Sequence, residues 1–416
     1  MLTVDVAIIG AGPSGMLLAR LLKLNGISSA LVERQSMTHV LSRIRAGVLE
    51  QGSVDMMKLA EIGDRVSREG DQHTGFSITY GNDSLRIDLE KLTGKKVTVY
   101  GQTEVTKDLY KAIQQDEVPL FEETGDSTGI EMSNDHATVS GASNGIPFSI
   151  EATFVAGCDG FHGVARKAIP DNVRKDFERV YPFGWLGILS ETKPADHELI
   201  YASDDEGFAL CSMRNERLSR YYVQCSTHDK VEDWNDQRFW DVLRSRIPHQ
   251  IAEHMETGPS IEKSIAPLRS FVCEPIQYQR LFLCGDAAHI VPPTGAKGLN
   301  LAFSDVYYLS RGMIQYFGGN DETTLQNYST TALARIWKSE RFSWWMTSLL
   351  HKFDEQDSFS DRFDRCFIPA DALDGQPHVG TGRMAAWIKV NDDLPDDGDD
   401  YPHQCWLAFT SDDLPH

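Results

Sequence analysis

The sequence predicts an α/β fold: a Rossmann-like domain, an antiparallel β-sheet domain inserted into it, and a helical carboxyl-terminal part. Three observations predict it. The amino terminus reads as strand, glycine turn and helix; alternating segments fill the region from 180 to 268; and an apolar strand beginning at Leu281 runs into Gly285-Asp286, a Pro-Pro-Thr-Gly loop and a helix start.

Taken in order, Val4 to Ile9 is an unbroken apolar run of strand length, and Gly10-Ala-Gly12-Pro-Ser14-Gly15 is a tight turn. Met16 to Leu24 is a helix with apolar residues on every turn. The first two glycines let the backbone turn and approach a pyrophosphate, and the third lets helix and strand pack closely. Free N–H groups at the helix start receive phosphate charge. Glu33 ends the strand that begins at Ser29, 23 residues after Gly10, where a carboxylate accepts hydrogen bonds from a ribose. With strand, turn, helix and acid in register, the chain binds a dinucleotide.

The first 70 or so residues continue as strand-helix-strand-helix, and Glu104 to Gln114 is a helix leading back to the sheet. The strand Phe154-Val-Ala-Gly157 ends in Cys-Asp159-Gly160. From 180 to 268 the texture changes to alternating segments, such as Phe208 to Ser212 and Arg220 to Cys225, which suggest an antiparallel lid-like sheet. In the last signal, Asp286 offers a carboxylate at a strand end, and Gly298-Leu299-Asn300 offers the positive end of a helix to an electron-rich ring. The chain then stays helical to about Lys352.

Composition sets limits. With 41 % hydrophobic and 24 % charged residues over 416, the chain can bury a large core in two or three lobes. No apolar run approaches a membrane span, and Met1 to Asp5 leads straight into a strand, leaving no room for a signal peptide. The seven cysteines are scattered without metal spacing and predict buried thiols in a reducing, cytoplasmic setting; no metal is expected. A net charge of −21 argues against nucleic acid as partner. Anionic ligands must then be drawn in by local arginines.

The runs Arg43-Ile-Arg45 to Gly52, Val97 to Val105, Val180 to Gly187, Ser264 to Phe271 and Arg341 to Ser348, together with the Asp159 and Asp286 turns, resemble the FAD-dependent aromatic hydroxylases. The similarity extends from Met1 to about Phe363 and is strongest to the branch acting on 4-hydroxybenzoate. It implies FAD as the bound cofactor and NADPH, or else NADH, as reductant. It also implies 4-hydroxybenzoate and O2 as substrates, transfer of oxygen through a flavin C4a-hydroperoxide, and a homodimer. FAD would be held by Gly10, Gly12, Ser14, Gly15, Glu33, Arg43, Arg45, Gln102, Asp159, Asp286, Gly298, Leu299 and Asn300, with Arg220 near the flavin ring. Ser212, Arg214 and Tyr222 would take the substrate carboxylate. Tyr201 and the Pro293 carbonyl would face the phenol oxygen, Thr294 would line the site, and His73 would stand at the outer end of a proton path to solvent. Arg34, Gln35, His39, His162 and Arg269 would meet the reducing nucleotide.

The resemblance also divides the chain. Residues 1–180 and 268–350 form a discontinuous FAD-binding domain, with 71–98 lending strands to the substrate side; 181–267 form the substrate-binding sheet; 351–416 form a helical, divergent tail. The last 26 residues carry eight aspartates and no lysine or arginine. No tyrosine occurs between Tyr328 and Tyr401, so the family's relay tyrosine is replaced by Tyr401, by water, or not at all. A hydroxylase of another phenolic acid and a flavin-binding relative without productive hydroxylation remain as alternatives, separable by product.

Overall fold

A computed structural model describes residues 1–42, 47–319 and 321–353. Arg43, Arg45, Tyr401 and the acidic tail lie outside these residues.

Two eight-stranded sheets and a three-stranded one make up the strand layers. In the first, Leu2–Ile9 lies between Ile146–Gly157 and Ser29–Val32, parallel to both, with Leu281–Leu283 parallel on the far side of Ile146–Gly157. Val6, Ala7 and Ile8 are fully buried, as an apolar run covered on both faces must be. The covering helices are Pro13–Leu24, Gln102–Gln115 and Lys297–Gly319. Pro13 opens the first of these, where a missing N–H costs no helical bond, and Gly26 at φ +71° lets the chain leave. All four strands point their carboxyl ends toward the same edge, so the Gly10, Asp159 and Gly285 turns lie together.

The second sheet runs His289–Ile290, Ser260–Glu274, Lys175–Ser190, Leu218–Ser226, Gly207–Asn215, Leu199–Asp204, Gly75–Tyr80 and Asp83–Asp88. Its neighbours are antiparallel except Leu199–Asp204 against Gly75–Tyr80. The other two strands of the 71–98 segment, Asp71–His73 and Val97–Val99, pair in the three-stranded sheet with Val48–Leu49. Strand alternation between 181 and 267 does not announce the helix Asp236–Arg246, which crosses the outer face of this sheet. Asn235 caps it, its Oδ1 accepting the Arg238 N–H at 2.8 Å. Phe239, Trp240 and Leu243 form its buried stripe, with Trp240 edge-on to Tyr221 at 5.4 Å. With one face thus covered, the other face of the sheet is left to build a site against the carboxyl-terminal helix Tyr328–Leu350.

Candidate functional site

The turn after Leu2–Ile9 is crowded at two glycines and open at the third. A Cβ at Gly10, whose φ is +104°, would lie 2.2 Å from the Cys158 carbonyl oxygen; one at Gly15 would lie 1.9 Å from the Gly10 carbonyl oxygen. At Gly12 nothing comes within 4 Å. Gly10 and Gly15 therefore let three chain segments touch, while Gly12 leaves its face clear beside the unbonded N–H groups of the first helical turn. The Glu33 carboxylate is fixed at the mouth of this turn, accepting the Ala11 N–H at 2.8 Å and the Gln35 N–H at 2.9 Å. Gly285, at φ +61°, packs against Ser14, with 3.1 Å between its would-be Cβ and Ser14 Oγ, and this sets the exposed Asp286 beside the start of the first helix. Gly298 is open in the same way as Gly12. Open glycine faces, free helix ends and two carboxylates at strand ends fit an extended dinucleotide such as FAD; Gln102 opens the helix Gln102–Gln115, which packs on the first helix.

Two of the expected flavin residues act differently from the expectation. Both Asn300 side-chain ends are committed internally: Oδ1 accepts from the Glu50 N–H and the Ser53 hydroxyl, and Nδ2 donates to the Val48 and Ala296 carbonyls. Only backbone groups of Asn300, and those of Leu299 before it, remain for a ligand. The Asp159 carboxylate folds back onto its own loop, accepting the Ala165 N–H at 2.9 Å, and burial raises its pKa.

Strand register builds the second half of the site. Tyr201 lies opposite Leu210, Leu210 opposite Tyr222, and Ser212 opposite Arg220, so all five side chains stand on one face. Arg214 falls where the ladder is interrupted between Met213 and Asn215, an irregularity of the kind that re-aims a side chain. Burial lowers the pKa of its guanidinium, the nearby Arg220 charge adding to the effect, so an incoming anion meets a desolvated cation. Arg220 is 5 % exposed, with Nη1 3.1 Å from Glu262 Oε1 and its guanidinium 5.0 Å over the Tyr222 ring. The Ser212 hydroxyl donates to the Arg220 carbonyl at 2.7 Å, so it must rotate before it can donate to a ligand.

Gly187, opposite Tyr222, escaped notice as a site residue because only the third dimension shows its neighbours. A Cβ there would sit 2.6 Å from Tyr222 Cε1 and 3.2 Å from Arg220 Nη2. We expect Gly187→Ala to fold, to displace both side chains, and to weaken binding of an aromatic carboxylate by about 1–3 kcal/mol, read from a substrate titration. An unchanged affinity would show that the Tyr222 ring shifts without consequence.

Tyr201 is buried between Phe76, edge-on at 5.5 Å, and Phe208 at 6.4 Å. Burial raises its pKa well above the ordinary tyrosine value, so its hydroxyl stays protonated and available to donate. Among the described residues no hydrogen bond joins it to His73. His73 itself corrects an expectation, because it is 2 % exposed and so does not reach solvent. Its Nε2 lies 3.3 Å from Asp71, whose side chain is 56 % exposed and holds the outer position instead. The Pro293 carbonyl accepts the Ala296 N–H at 3.0 Å, leaving one lone pair for a ligand. Thr294 is wholly buried with its hydroxyl 2.8 Å from Thr347 Oγ1, so its side chain braces the loop against the carboxyl-terminal helix rather than lining the site. Phe342 joins the two halves: it shares a core with Tyr201 and Leu210, and the Lys297 ammonium lies 5.1 Å over its ring.

A buried polar group behind the Asp286 turn also escaped the sequence reading. Asp305 accepts from the Gly285 N–H at 2.9 Å and lies 2.6 Å from His289 Nε2, and both residues are about 1 % exposed. Burial opposes the charged imidazole, but the Asp305 carboxylate outweighs it and raises the His289 pKa. Glu340, from the carboxyl-terminal helix, is buried close by, and burial outweighs the Ser270 hydroxyl and the Phe271 backbone beside it and pushes it up to about 7. The folded protein therefore holds this proton more tightly than the unfolded chain does. The resulting penalty is absent below the ordinary carboxyl value of 4.5 and grows as pH rises to about 7. We expect Glu340→Gln to leave the melting temperature unchanged at acid pH and to raise it at alkaline pH, by a stabilisation of about 3 kcal/mol. Equal melting shifts at both ends would sink this assignment.

The residues expected to meet the reducing nucleotide fall into two groups. Arg269 lies 4.7 Å over the Phe161 ring, which is edge-on to His162 at 5.0 Å, and Glu178 pairs with Arg269 at 3.0 Å. Arg34, Gln35 and His39 follow the strand Ser29–Val32 and are exposed, with Arg34 3.5 Å from Asp126.

A family model described as "FAD binding domain" matches residues 3–343. The p-hydroxybenzoate hydroxylase of Acinetobacter baylyi is 51 % identical over 358 residues, which cover 86 % of this chain and 88 % of that protein. A probable NADH-specific resorcinol 4-hydroxylase of Rhodococcus jostii is 22 % identical, over 78 % of this chain and 61 % of its own. Among solved structures, the p-nitrophenol 4-monooxygenase of Pseudomonas putida superposes with a TM-score of 0.79 at 16 % identity, covering 94 % of this chain and 99 % of that one. Aklavinone-11 hydroxylase, solved with FAD and aklavinone, gives 0.69 at 16 % identity over 90 % and 72 %. These two likenesses show a shared fold.

Proposed function

The chain belongs to the FAD-binding-domain family of flavin-dependent aromatic monooxygenases, and from that membership we propose that it converts 4-hydroxybenzoate to 3,4-dihydroxybenzoate with NADPH and O2. The observation that carries the substrate reading is the single sheet face bearing Ser212, Tyr222 and Tyr201, with the Arg214 charge set beside Tyr222. That face offers a cation to a carboxylate and a protonated phenol to a phenolate.

FAD, when bound, would supply the hydride acceptance and the transfer of one oxygen atom of O2 that the reaction needs. The Gly12 face, Glu33, Asp286 and the Gly298 helix start would hold it. Arg214 anchors the substrate carboxylate and Tyr222 orients it. Tyr201, which keeps its own proton, donates to the phenol oxygen and stabilises the phenolate, whose ring is nucleophilic at the neighbouring carbon. The lone pair left on the Pro293 carbonyl repels that phenolate charge, so the two groups together tune how far the proton leaves. Arg220 sits between Glu262 and Tyr222, where its charge favours an anionic ring system nearby. The buried rings of Phe208 and Trp185, with the half-buried Phe76, keep water from the reacting face.

NADPH rather than NADH rests on Arg34, an exposed guanidinium that a phosphate can draw from Asp126. The same reading takes the chain as a cytoplasmic homodimer, with the exposed Phe177, Val180 and Trp337 as apolar surface for a second copy. Sedimentation of the purified protein tests the dimer. The deciding assay follows NADPH consumption with 4-hydroxybenzoate while scoring dihydroxybenzoate and hydrogen peroxide together. Stoichiometric dihydroxy acid is expected. Peroxide alone would mean that the substrate phenolate is not formed at Tyr201, and no stimulation by this substrate would point to another phenolic acid.

A further inference from the structure

The strands Ile146–Gly157 and Leu281–Leu283 run parallel in register, with Val155 opposite Leu281, Ala156 opposite Phe282 and Gly157 opposite Leu283. The next residue of each is a cysteine. Cys284 N–H donates to the Gly157 carbonyl at 2.9 Å and Cys158 N–H donates to the Ile9 carbonyl at 2.7 Å, so the ladder continues through both. Residues side by side on in-register parallel strands project from the same face, and strands lie about 4.8 Å apart. That spacing falls inside the Cα separations of about 4.4 to 6.8 Å that a disulfide spans.

The rest of the chain's described thiols have no such neighbour. Cys211 stands opposite Tyr221, Cys225 opposite Gly184, and Cys273 opposite Asp176. Cys158 is partly exposed, whereas Cys284 is wholly buried with its Sγ 3.3 Å from the Tyr328 hydroxyl. The Cys158 thiol lies close enough to Cys284 to raise its pKa further, beyond the effect of burial.

We propose that Cys158 and Cys284 are a modification site, an oxidisable pair that hydrogen peroxide converts to a disulfide linking the turns that hold the cofactor. Cys158, the accessible partner, attacks peroxide as thiolate, giving a sulfenic acid and hydroxide. The Cys284 thiol then displaces the sulfenic hydroxyl, forming the S–S bond and releasing water. Overall, two thiols and one peroxide give one disulfide and two waters. The position gives the bond its effect. Cys158 precedes Asp159 and presents its carbonyl oxygen where a Gly10 Cβ would be, at 2.2 Å, while Cys284 precedes Gly285 and Asp286. A bond between the sulfurs pulls Cys284 from Tyr328 and moves backbone that Gly10 touches. Peroxide would thereby lower cofactor retention, and with it activity, until a thiol reverses the bond.

The test uses the full FAD-loaded chain, treated with hydrogen peroxide, alkylated and digested without reduction. The expected result is a linked Cys158–Cys284 peptide, loss of two of the seven thiols counted in denaturant, and a fall in activity that dithiothreitol restores. In Cys284→Ala, Cys158 should be trapped by dimedone as the sulfenic acid, and the activity lost to longer exposure should not return with dithiothreitol. Absence of the linked peptide from treated wild-type protein, whether the thiols survive or Cys158 passes to sulfinic acid with Cys284 free, would overturn the proposal. So would a linked peptide formed with no change in activity or flavin content, since the site would then regulate nothing.

Discussion

Arg214→Lys is expected to weaken 4-hydroxybenzoate binding by orders of magnitude, about 2 to 5 kcal/mol, while the protein keeps its FAD. The reason lies in the site's desolvation. Burial already lowers the pKa of the Arg214 guanidinium, with Arg220 as a like charge nearby, so the arriving carboxylate gains a charge-assisted, two-point contact with little water to compete. Lysine keeps the charge but offers a shorter reach and no fork, leaving one carboxylate oxygen without its partner. Substrate titration of flavin fluorescence measures the loss, and the flavin absorbance of the purified variant checks retention. Near-normal affinity would remove Arg214 from the anchor role, and loss of FAD would show that the variant disturbs the fold instead.

Tyr201→Phe is expected to bind substrate and FAD nearly as well as the parent but to lose hydroxylation by roughly 10²- to 10³-fold, the range for one lost donor to an oxyanion. The Tyr201 ring packs against Phe76 and Phe208, and phenylalanine preserves those contacts. What disappears is a single hydroxyl that burial keeps protonated, and with it the donor that holds charge on the substrate oxygen. Reduced flavin should then return its electrons to O2 as hydrogen peroxide. The measurement is the ratio of peroxide to dihydroxybenzoate per NADPH consumed. A variant with the parent's ratio would mean that the phenolate forms without Tyr201. Arg214→Lys should leave this ratio little changed at saturating substrate, so the two variants separate anchoring from activation.

The His73 result bears on the same step. His73 is buried and its Nε2 meets the exposed Asp71 carboxylate at 3.3 Å, so a proton path through this imidazole would open to solvent at Asp71.

The dinucleotide turn was legible in the chain because its causes are local. A strand, three glycines at fixed spacing, a proline-started helix and Glu33 need no distant partner to declare a phosphate site, and Gly10, Gly12 and Gly15 each keep a geometric role in the fold. Asp286 was legible for the same reason, standing at a strand end after a glycine. Tyr201, Ser212, Arg214 and Tyr222 reached the candidate site through family resemblance, since strand tyrosines and arginines carry no local mark; register between strands then put Tyr201, Ser212 and Tyr222 on one face, and the interrupted ladder set Arg214 beside Tyr222. Side-chain commitments were beyond reach in one dimension. Thr294 is taken by Thr347, Asn300 by Glu50 and Ser53, and Asp305 by His289 and Gly285, through partners that packing brings from 16 to 250 residues away. Gly187 has its purpose only because Tyr222 and Arg220 arrive on the next strand. Local backbone requirements are written in neighbouring residues, whereas burial, pairing and the pKa shifts they cause arise from surfaces that exist only once distant segments have packed together.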